Sequence, residues 1–239
     1  MPQHIVVIVQ GAWGSSAAWE PIANRLRGCG FGVHVPNLSG LGKRRHMFHG
    51  GINLDTHVSD VAGMVNAEQL DRFVLVAHSY GGMIATVLAE VMHERIASTL
   101  FLDAFLPTDG KLVFDLLGPE ATCANIAAAG AFGGIGVPPP DRHAARVPSE
   151  MLRHLTTRSP QPIATMIQRP RLSNAIGRIQ RRLYAPAQIN QAPVFARAAA
   201  HAQATGWALR PLEDGHMLHL EMPEAVASLI AKVVEANDT

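Results

Sequence analysis

Residues 73–92 join a strand-like run to an apolar helical stretch across only a few small residues. The run 73–77 reads Phe-Val-Leu-Val-Ala, which is typical of a strand buried on both faces of a parallel sheet. Ser79 and the pair Gly81-Gly82 follow at once, and residues 83–92 are apolar enough for a buried helix. Since so short a connection allows only a sharp turn, the segment predicts a serine held at the carboxyl edge of a parallel sheet.

The rest of the chain alternates strand-like and helical patterns, which predicts an α/β fold with a mostly parallel central sheet and helices on both faces. The predicted strands are 5–9, 31–35, 73–77, 99–102, 183–187 and 207–212, and the predicted helices are 16–28, 54–66, 83–92, 192–204 and 223–236. The pattern changes in 107–182, where glycines and prolines crowd 130–148. We therefore predict a core formed by 1–106 and 183–239, with 107–182 as an inserted, mainly helical cap.

Composition and charge narrow the range of partners. The net charge is +1 with histidine neutral, so no global field attracts the chain to nucleic acid or to a membrane. Cys29 and Cys123 cannot form a disulfide framework, and no metal-ligand spacing surrounds them. The N-terminus enters a strand-like run without the features of a signal peptide, and no window reaches the roughly 18 apolar residues of a membrane span. We expect a cytoplasmic protein.

The serine motif has the spacing that nucleophilic catalysis requires. The segment Ala77-His78-Ser79-Tyr80-Gly81 matches the pattern G-x-S-x-G, with alanine in place of the first glycine. The residues two before and two after the serine must be small, because larger side chains collide within the turn. Ala77 and Gly81 meet this condition, and we predict Ser79 as the nucleophile.

A serine hydroxyl needs a neighbouring imidazole to take its proton. In proteins that carry this motif the base comes last in chain order, on a loop after the final strand. His216 has that position, between the predicted strand 207–212 and the last predicted helix. His219 is the competing candidate, and the side chain of His78 is expected to point away from Ser79. We predict His216 as the base.

Acyl transfer also requires two N–H donors for the negative charge that develops on the carbonyl oxygen. The amide that follows the nucleophile, that of Tyr80, is one candidate. The loop after the first strand, residues 10–13, supplies the other, and the amide of Ala12 is the expected donor. Ala12 and Tyr80 thus form the predicted oxyanion hole.

Several stretches together resemble one branch of the α/β-hydrolases, which includes plant methylesterases, hydroxynitrile lyases and bacterial esterases related to pyrethroid hydrolases. The stretches are Val9-Gln10-Gly11-Ala12-Trp13, Asn53-Leu54-Asp55-Thr56-His57, Ala77-His78-Ser79-Tyr80-Gly81-Gly82, Leu102-Asp103-Ala104-Phe105-Leu106-Pro107, Val137-Pro138-Pro139-Pro140 and Gly215-His216-Met217. The resemblance implies an esterase without a cofactor or metal, whose helical cap shapes an apolar pocket. Gln10 stands where the family usually has a histidine, which affects how the oxyanion loop is braced.

The acidic member of the site departs most from the family pattern. The family's acid normally follows the penultimate strand, a position that falls near Gln188 here, and an amide cannot supply the negative charge that stabilises an imidazolium. Asp103 is the natural replacement, since it ends the strand predicted beside the nucleophile strand. Asp214 is the alternative, although a residue so close to His216 in sequence needs an awkward backbone turn to orient that ring.

These residues favour a serine carboxylesterase that hydrolyses a small, largely apolar ester through an acyl-enzyme. Arg169, Arg171 or Arg178 could instead supply a positive charge for a polar substrate. Two alternatives stay open. The first is a hydroxynitrile lyase-type C–C lyase, which is disfavoured because Gly11 or Ala12 and Met217 stand where those enzymes have threonine and lysine. The second is a hydrolase-like binder with a weakened triad. A small-molecule ester is the expected partner, and no nucleic-acid or membrane partner is expected. The sequence is compatible with a homodimer.

Overall fold

The computed structural model describes residues 4–140, 146–190 and 192–238. Its strands are β1 (Ile5–Val9), β2 (Gly32–His34), β3 (Phe73–His78), β4 (Ile96–Leu102), β5 (Gly136–Val137), β6 (Gln161–Pro162), β7 (Arg181–Ala185) and β8 (Ala208–Leu209). Within the described residues, six of these strands form one sheet in the order β2-β1-β3-β4-β7-β8, and every pairing in it is parallel. The predicted α/β fold with a parallel sheet is confirmed.

The α-helices cover both faces of this sheet, as the alternating pattern predicts. They are α1 (Glu20–Gly28), α2 (Leu54–Ala67), α3 (Gly81–Met92), α4 (Val113–Leu117), α5 (Pro119–Ala129), α6 (Arg153–Thr156), α7 (Ala164–Ile167), α8 (Pro193–Ala204), α9 (Leu218–Glu221) and α10 (Pro223–Glu235). One hydrophobic cluster joins the sheet to α2, α3 and α8, and a second joins its other face to α1 and α10. Asn53 begins α2 by accepting a hydrogen bond from the amide of Thr56 at 3.0 Å.

Strand β3 is the centre of the core because it is buried on both faces along its whole length. It pairs with β1 on one side and with β4 on the other. All three strands run in the same direction, so their carboxyl ends reach the same edge of the sheet. The loops after β1, β3 and β4 therefore meet there, and these are the loops that contain Ala12, Ser79 and Asp103.

The last two predicted strands end earlier in the structure than predicted, and prolines explain both. The strand predicted at 183–187 is β7, which ends at Ala185 because Pro186 has no amide hydrogen for the ladder. The strand predicted at 207–212 is reduced to β8 and one isolated bridge between Ala187 and Leu212, since Pro211 interrupts it.

The segment predicted as a mainly helical cap contains α4 to α7 and also a small antiparallel sheet. Strands β5 and β6 pair Gly136 with Pro162 and Val137 with Gln161. This sheet was not predicted, because two-residue strands beside prolines show no alternation of apolar and polar residues. The division into a core and a cap at 107–182 stays a prediction. In the described part of the chain, no helix is long and apolar enough to cross a membrane.

Candidate active site

Ser79 occupies a strained turn between β3 and α3. Its φ is 53°, in the left-handed region that costs a non-glycine residue roughly 1–3 kcal/mol. The turn also needs the two glycines that follow. A Cβ on Gly81 would lie 2.4 Å from the carbonyl oxygen of Val9, and one on Gly82 would lie 2.0 Å from that of Phe105. The small residues after the serine are therefore required by the neighbouring strand ends.

The structure brings His216 to Ser79 although 137 positions separate them in the chain. Nε2 of His216 lies 2.9 Å from Oγ of Ser79. His216 lies on the loop before α9, and its ring stacks on Phe195 with the centroids 4.5 Å apart. Nε2 of His78 donates to the carbonyl oxygen of His216 at 2.8 Å, so the residue beside the serine fixes the backbone of the histidine loop. The competing His219 stacks flat on Trp19 instead, with ring centroids 4.6 Å apart.

Asp103 reaches the opposite side of the same imidazole. Oδ2 of Asp103 lies 2.7 Å from Nδ1 of His216, and the aspartate side chain is 1% exposed. Asp103 directly follows β4 with a φ of 41°, a second non-glycine residue in the left-handed region of this site. The amide of Ala187 donates to Oδ1 at 3.2 Å. Asp103 thus contacts the histidine with one carboxylate oxygen and accepts a hydrogen bond from the loop after β7 with the other.

Asn190 is a site residue that the sequence reasoning did not select. Its Nδ2 donates to Oδ2 of Asp103 at 2.5 Å and lies 3.3 Å from Nδ1 of His216. Asn190 follows β7, in the region where the family pattern places the acid, and that position was the available signal. The amide of Asn190 thus stabilises the carboxylate of Asp103 by donating a hydrogen bond to it.

The alternative acid, Asp214, contacts other groups than the imidazole of His216. Its Oδ1 accepts from Nη2 of Arg146 at 3.2 Å and from the amide of Gly215 at 2.8 Å. Glu221 contacts the same two groups, with Oε2 3.1 Å from the Gly215 amide and 3.4 Å from Nε of Arg146. Burial, together with the hydrogen bond and the charge of Asp214, raises the pKa of Glu221 to about 7. Glu221 therefore keeps its proton to a higher pH than an ordinary carboxyl group.

The loop after β1 lies directly against the nucleophile. A Cβ on Gly11 would lie 2.9 Å from Cβ of Ser79, so only glycine allows this approach. Nε2 of Gln10 donates to the carbonyl oxygen of Gly14 at 3.3 Å, which closes the loop from within. Gln10 thus braces the loop at the position where the family usually has histidine. Ala12 lines the same cavity as Ser79 and His216.

Tyr80 precedes the first residue of α3, and its side chain points into the protein interior. The hydroxyl lies 3.1 Å from Nδ1 of His57, whose Nε2 lies 2.9 Å from the carbonyl oxygen of Ser39. Burial lowers the pKa of His57, which keeps this ring neutral, and burial raises the pKa of Tyr80. The side chain of Tyr80 thereby anchors the residue whose amide was predicted as an oxyanion donor.

A cavity of about 30 Å³ lies over Ser79. Its apolar lining includes Trp13, Trp19 and Leu220, and residues 154 and 158 contribute polar side chains. Arg158 is the arginine of this lining. The sequence had instead suggested Arg169, Arg171 or Arg178 as the source of a positive charge for the substrate. The guanidinium of Arg158 donates to the carbonyl oxygens of Leu155 and Pro140, both at 3.0 Å. Across the described ranges, no group of three or more His, Cys, Asp or Glu side chains has an arrangement that could hold a metal ion.

A serine, a histidine and an aspartate that meet at the carboxyl edge of a parallel sheet, with the serine on a strand-to-helix turn, define the class of α/β-hydrolases. The sequence model of the Alpha/beta hydrolase family matches residues 6–229, and the chain belongs to this family.

Similar proteins include esterases and hydrolases of the branch that the sequence resembles. A carbendazim hydrolyzing esterase of Nocardioides sp. (strain SG-4G) is 30% identical over 237 residues, which cover 94% of this chain and 97% of that protein. A pyrethroid hydrolase of Sphingobium wenxiniae is 25% identical over 107 residues, 44% of this chain and 38% of that protein. These relatives confirm the predicted resemblance and the prediction of a hydrolase.

Solved structures show the same fold. An extracellular alpha/beta-hydrolase from a Paenibacillus species has a TM-score of 0.83 to this chain at 20% identity, covering 96% of this chain and 98% of that one. A methylesterase from Arabidopsis has a TM-score of 0.76 at 16% identity, with 97% and 99% covered.

Proposed function

We propose that the protein is a serine carboxylesterase that hydrolyses a small, largely apolar carboxylic ester through an acyl-enzyme. The observation that carries the proposal is the continuous contact from Oγ of Ser79 through His216 to Asp103, with distances of 2.9 and 2.7 Å. This order of groups is what a hydroxyl nucleophile needs, because the base must face the hydroxyl and the acid must face the far nitrogen of the base.

In the acylation step, Oγ of Ser79 attacks the ester carbonyl while Nε2 of His216 takes the hydroxyl proton. The carboxylate of Asp103 stabilises the imidazolium and selects the tautomer with hydrogen on Nδ1. The tetrahedral intermediate then collapses, the bond to the alcohol oxygen breaks, and Nε2 returns its proton to the departing alcohol. A water repeats the sequence on the acyl-enzyme, which releases the carboxylic acid and restores the hydroxyl of Ser79.

The negative charge of each tetrahedral intermediate lies on the former carbonyl oxygen. We assign its stabilisation to the amides of Ala12 and Tyr80. Support for Ala12 is its place in the lining of the cavity that also contains Ser79 and His216. Support for Tyr80 is its position at the N-terminus of α3, where free amides and the helix dipole favour an anion.

The proposed substrate class follows from the cavity above Ser79. Its volume is about 30 Å³, which favours a small acyl group. Trp13, Trp19 and Leu220 favour an apolar substrate, and the guanidinium of Arg158 donates hydrogen bonds to two backbone carbonyls. Esters and carbendazim, the compound in the name of one relative, are the first substrates to compare.

Labelling with a fluorophosphonate probe tests the nucleophile, because such a probe reacts with an activated serine. We expect wild type and Ser149→Ala to be labelled, and Ser79→Ala to be unlabelled although folded. An unlabelled, folded wild type would contradict the proposal and favour a non-catalytic binder.

Turnover assays test the reaction itself. We expect release of p-nitrophenol from p-nitrophenyl acetate to be faster than from long-chain esters, and no cyanide release from mandelonitrile. Cyanide release without ester hydrolysis would instead identify a lyase.

A further inference from the structure

Trp13 is held to the segment 136–161 by three separate groups. Its amide donates to Oε1 of Gln161 at 3.1 Å, its indole Nε1 donates to the carbonyl oxygen of Val137 at 2.9 Å, and its carbonyl oxygen accepts from the amide of Ser159 at 3.0 Å. Trp13 also has a φ of 62°, which a bulky side chain adopts only when its surroundings impose it. The small sheet of β5 and β6 therefore fixes the conformation of the residue that follows Ala12.

The same glutamine begins a buried polar chain that ends beneath the nucleophile turn. Nε2 of Gln161 donates to Oγ1 of Thr165 at 2.7 Å, and the hydroxyl of Thr165 faces that of Tyr80. Tyr80 in turn contacts His57, whose ring reaches the carbonyl oxygen of Ser39. The side chains of Gln161, Thr165 and His57 are fully buried, and that of Tyr80 is nearly so.

The two ends of this series of contacts fix the hydrogen positions of His57 and Gln161. The carbonyl oxygen of Ser39 only accepts, so Nε2 of neutral His57 carries the hydrogen and Nδ1 accepts from the hydroxyl of Tyr80. The hydroxyl of Thr165 donates to the carbonyl oxygen of Pro162 at 2.7 Å and accepts from Nε2 of Gln161.

At the other end, the Trp13 amide is a donor, so Oε1 of Gln161 faces it and Nε2 faces Thr165. Gln161 therefore has one amide orientation that satisfies both of its partners. Such buried networks are rigid, because each unpaired polar group would cost about 1–3 kcal/mol.

We propose that Gln161 is a positioning residue that fixes both arms of the oxyanion hole relative to one another, the 11–13 loop directly and Tyr80 through Thr165. This inference rests on the proposed function, since it concerns the two amides assigned there to the oxyanion. Gln161 is absent from the lining of the cavity above Ser79, so it acts through Trp13 and Tyr80 and not on the substrate.

Gln161→Met tests the proposal, because methionine keeps the length of the side chain and removes both hydrogen bonds. The matched control is Gln168→Met, whose half-buried glutamine also lies in this region and hydrogen-bonds the amide and carboxylate of Asp55 at 3.1 and 2.6 Å. We expect Gln161→Met to lower kcat about 10- to 100-fold with KM changed less than about threefold, since small displacements of aligned groups have effects of this order. Gln168→Met should stay close to wild type.

Two further measurements separate positioning from a general loss of stability. Binding of a trifluoromethyl ketone, whose adduct places an oxyanion in the hole, should weaken in parallel with kcat. Amide hydrogen exchange of residues 11–14 should become faster in Gln161→Met and stay unchanged in Gln168→Met. Faster exchange with unchanged kcat and unchanged ketone affinity would overturn the proposal, and so would unchanged exchange.

Thr165→Val and Thr165→Ser keep the test decisive if Gln161→Met does not fold. The serine keeps the hydroxyl and should restore most of the activity that valine loses, whereas equal activity of the two variants would remove Thr165 from the chain of contacts. An inactive, unlabelled wild type would contradict the proposed function alone. The exchange experiment measures how firmly residues 11–14 are held, and this measurement does not require turnover.

Discussion

Oδ2 of Asp103 and Nδ1 of His216 lie 2.7 Å apart, and Nδ2 of Asn190 lies within hydrogen-bond distance of the same carboxylate oxygen at 2.5 Å. The carboxylate that contacts the imidazole thus comes from the end of β4, while the loop after β7 contributes an amide. Two loops from different strands meet on one side of the imidazole, and this arrangement leads to the first two predictions.

Asp103→Asn should lower kcat/KM by about 10³- to 10⁴-fold, because an amide cannot stabilise the imidazolium and favours the wrong tautomer of His216. Asp214→Asn is the matched control, since Asp214 faces Arg146 and the Gly215 amide. We expect its activity to fall less than about tenfold. Steady-state hydrolysis of p-nitrophenyl acetate measures both, and the reverse order of the two effects would exclude Asp103 as the acid.

A carboxylate at position 190 should partly replace the one at position 103. Nδ2 of Asn190 already lies 3.3 Å from Nδ1 of His216, so a carboxylate oxygen in its place would be within reach of the same ring nitrogen. We expect Asp103→Asn combined with Asn190→Asp to be at least about tenfold more active than Asp103→Asn alone. Equal activities of the single and double variants would show that the loop after β7 cannot bring a carboxylate to the ring.

Ser79→Ala and Ser79→Gly should both abolish turnover, by about 10⁴-fold or more, since both remove the nucleophile. Their stabilities should differ. The φ of 53° is strained for alanine and not for glycine, so the glycine variant should be more stable by about 0.5–1 kcal/mol. Urea unfolding of the two variants measures the difference. A glycine variant less stable than the alanine variant would contradict the strain at the turn.

Glu221 should make part of the stability depend on pH. Its pKa is raised from 4.5 to about 7, so the folded protein binds a proton that the unfolded chain releases. This contribution is complete below pH 4.5 and is lost as the pH rises through about 7. Relative to wild type, Glu221→Gln should therefore gain stability between pH 5 and 8, on the order of 1 kcal/mol after allowance for solvent screening.

Urea unfolding at several pH values measures this gain, with Glu235→Gln, an exposed carboxylate on α10, as the control. A difference between Glu221→Gln and wild type that stays constant with pH would contradict a raised pKa at this position.

Local patterns in the sequence were sufficient for the elements that carry the site. The buried run of β3, the small residues around Ser79 and the apolar character of α3 depend on neighbours in the chain, and each was predicted from them. His216 and His219 both lie before the last helix, and the sequence favoured His216 with His219 as the competing candidate. For the acid, the sequence offered Asp103 and Asp214 as alternatives.

Other features depended on contacts between distant parts of the chain. The sheet of β5 and β6 has too few residues to produce a periodic signal, and Gln161 looks like an ordinary polar residue beside a proline. His57 belonged to a stretch that resembled the family, yet nothing local indicated that its ring would meet Tyr80. Arg158 was likewise not distinguished from the other arginines of 107–182.

The sequence by itself determined the parallel sheet, the strained serine turn and the histidine on the last loop, because side-chain size, periodicity and chain order encode these locally. Only the tertiary structure decided that Asp103 faces His216 while Asp214 faces Arg146, and that Gln161 connects the loop after β1 to the turn after β3. The physical reason is that hydrogen bonds act over about 3 Å between groups that folding alone brings together, and their partners leave no periodic trace in the chain.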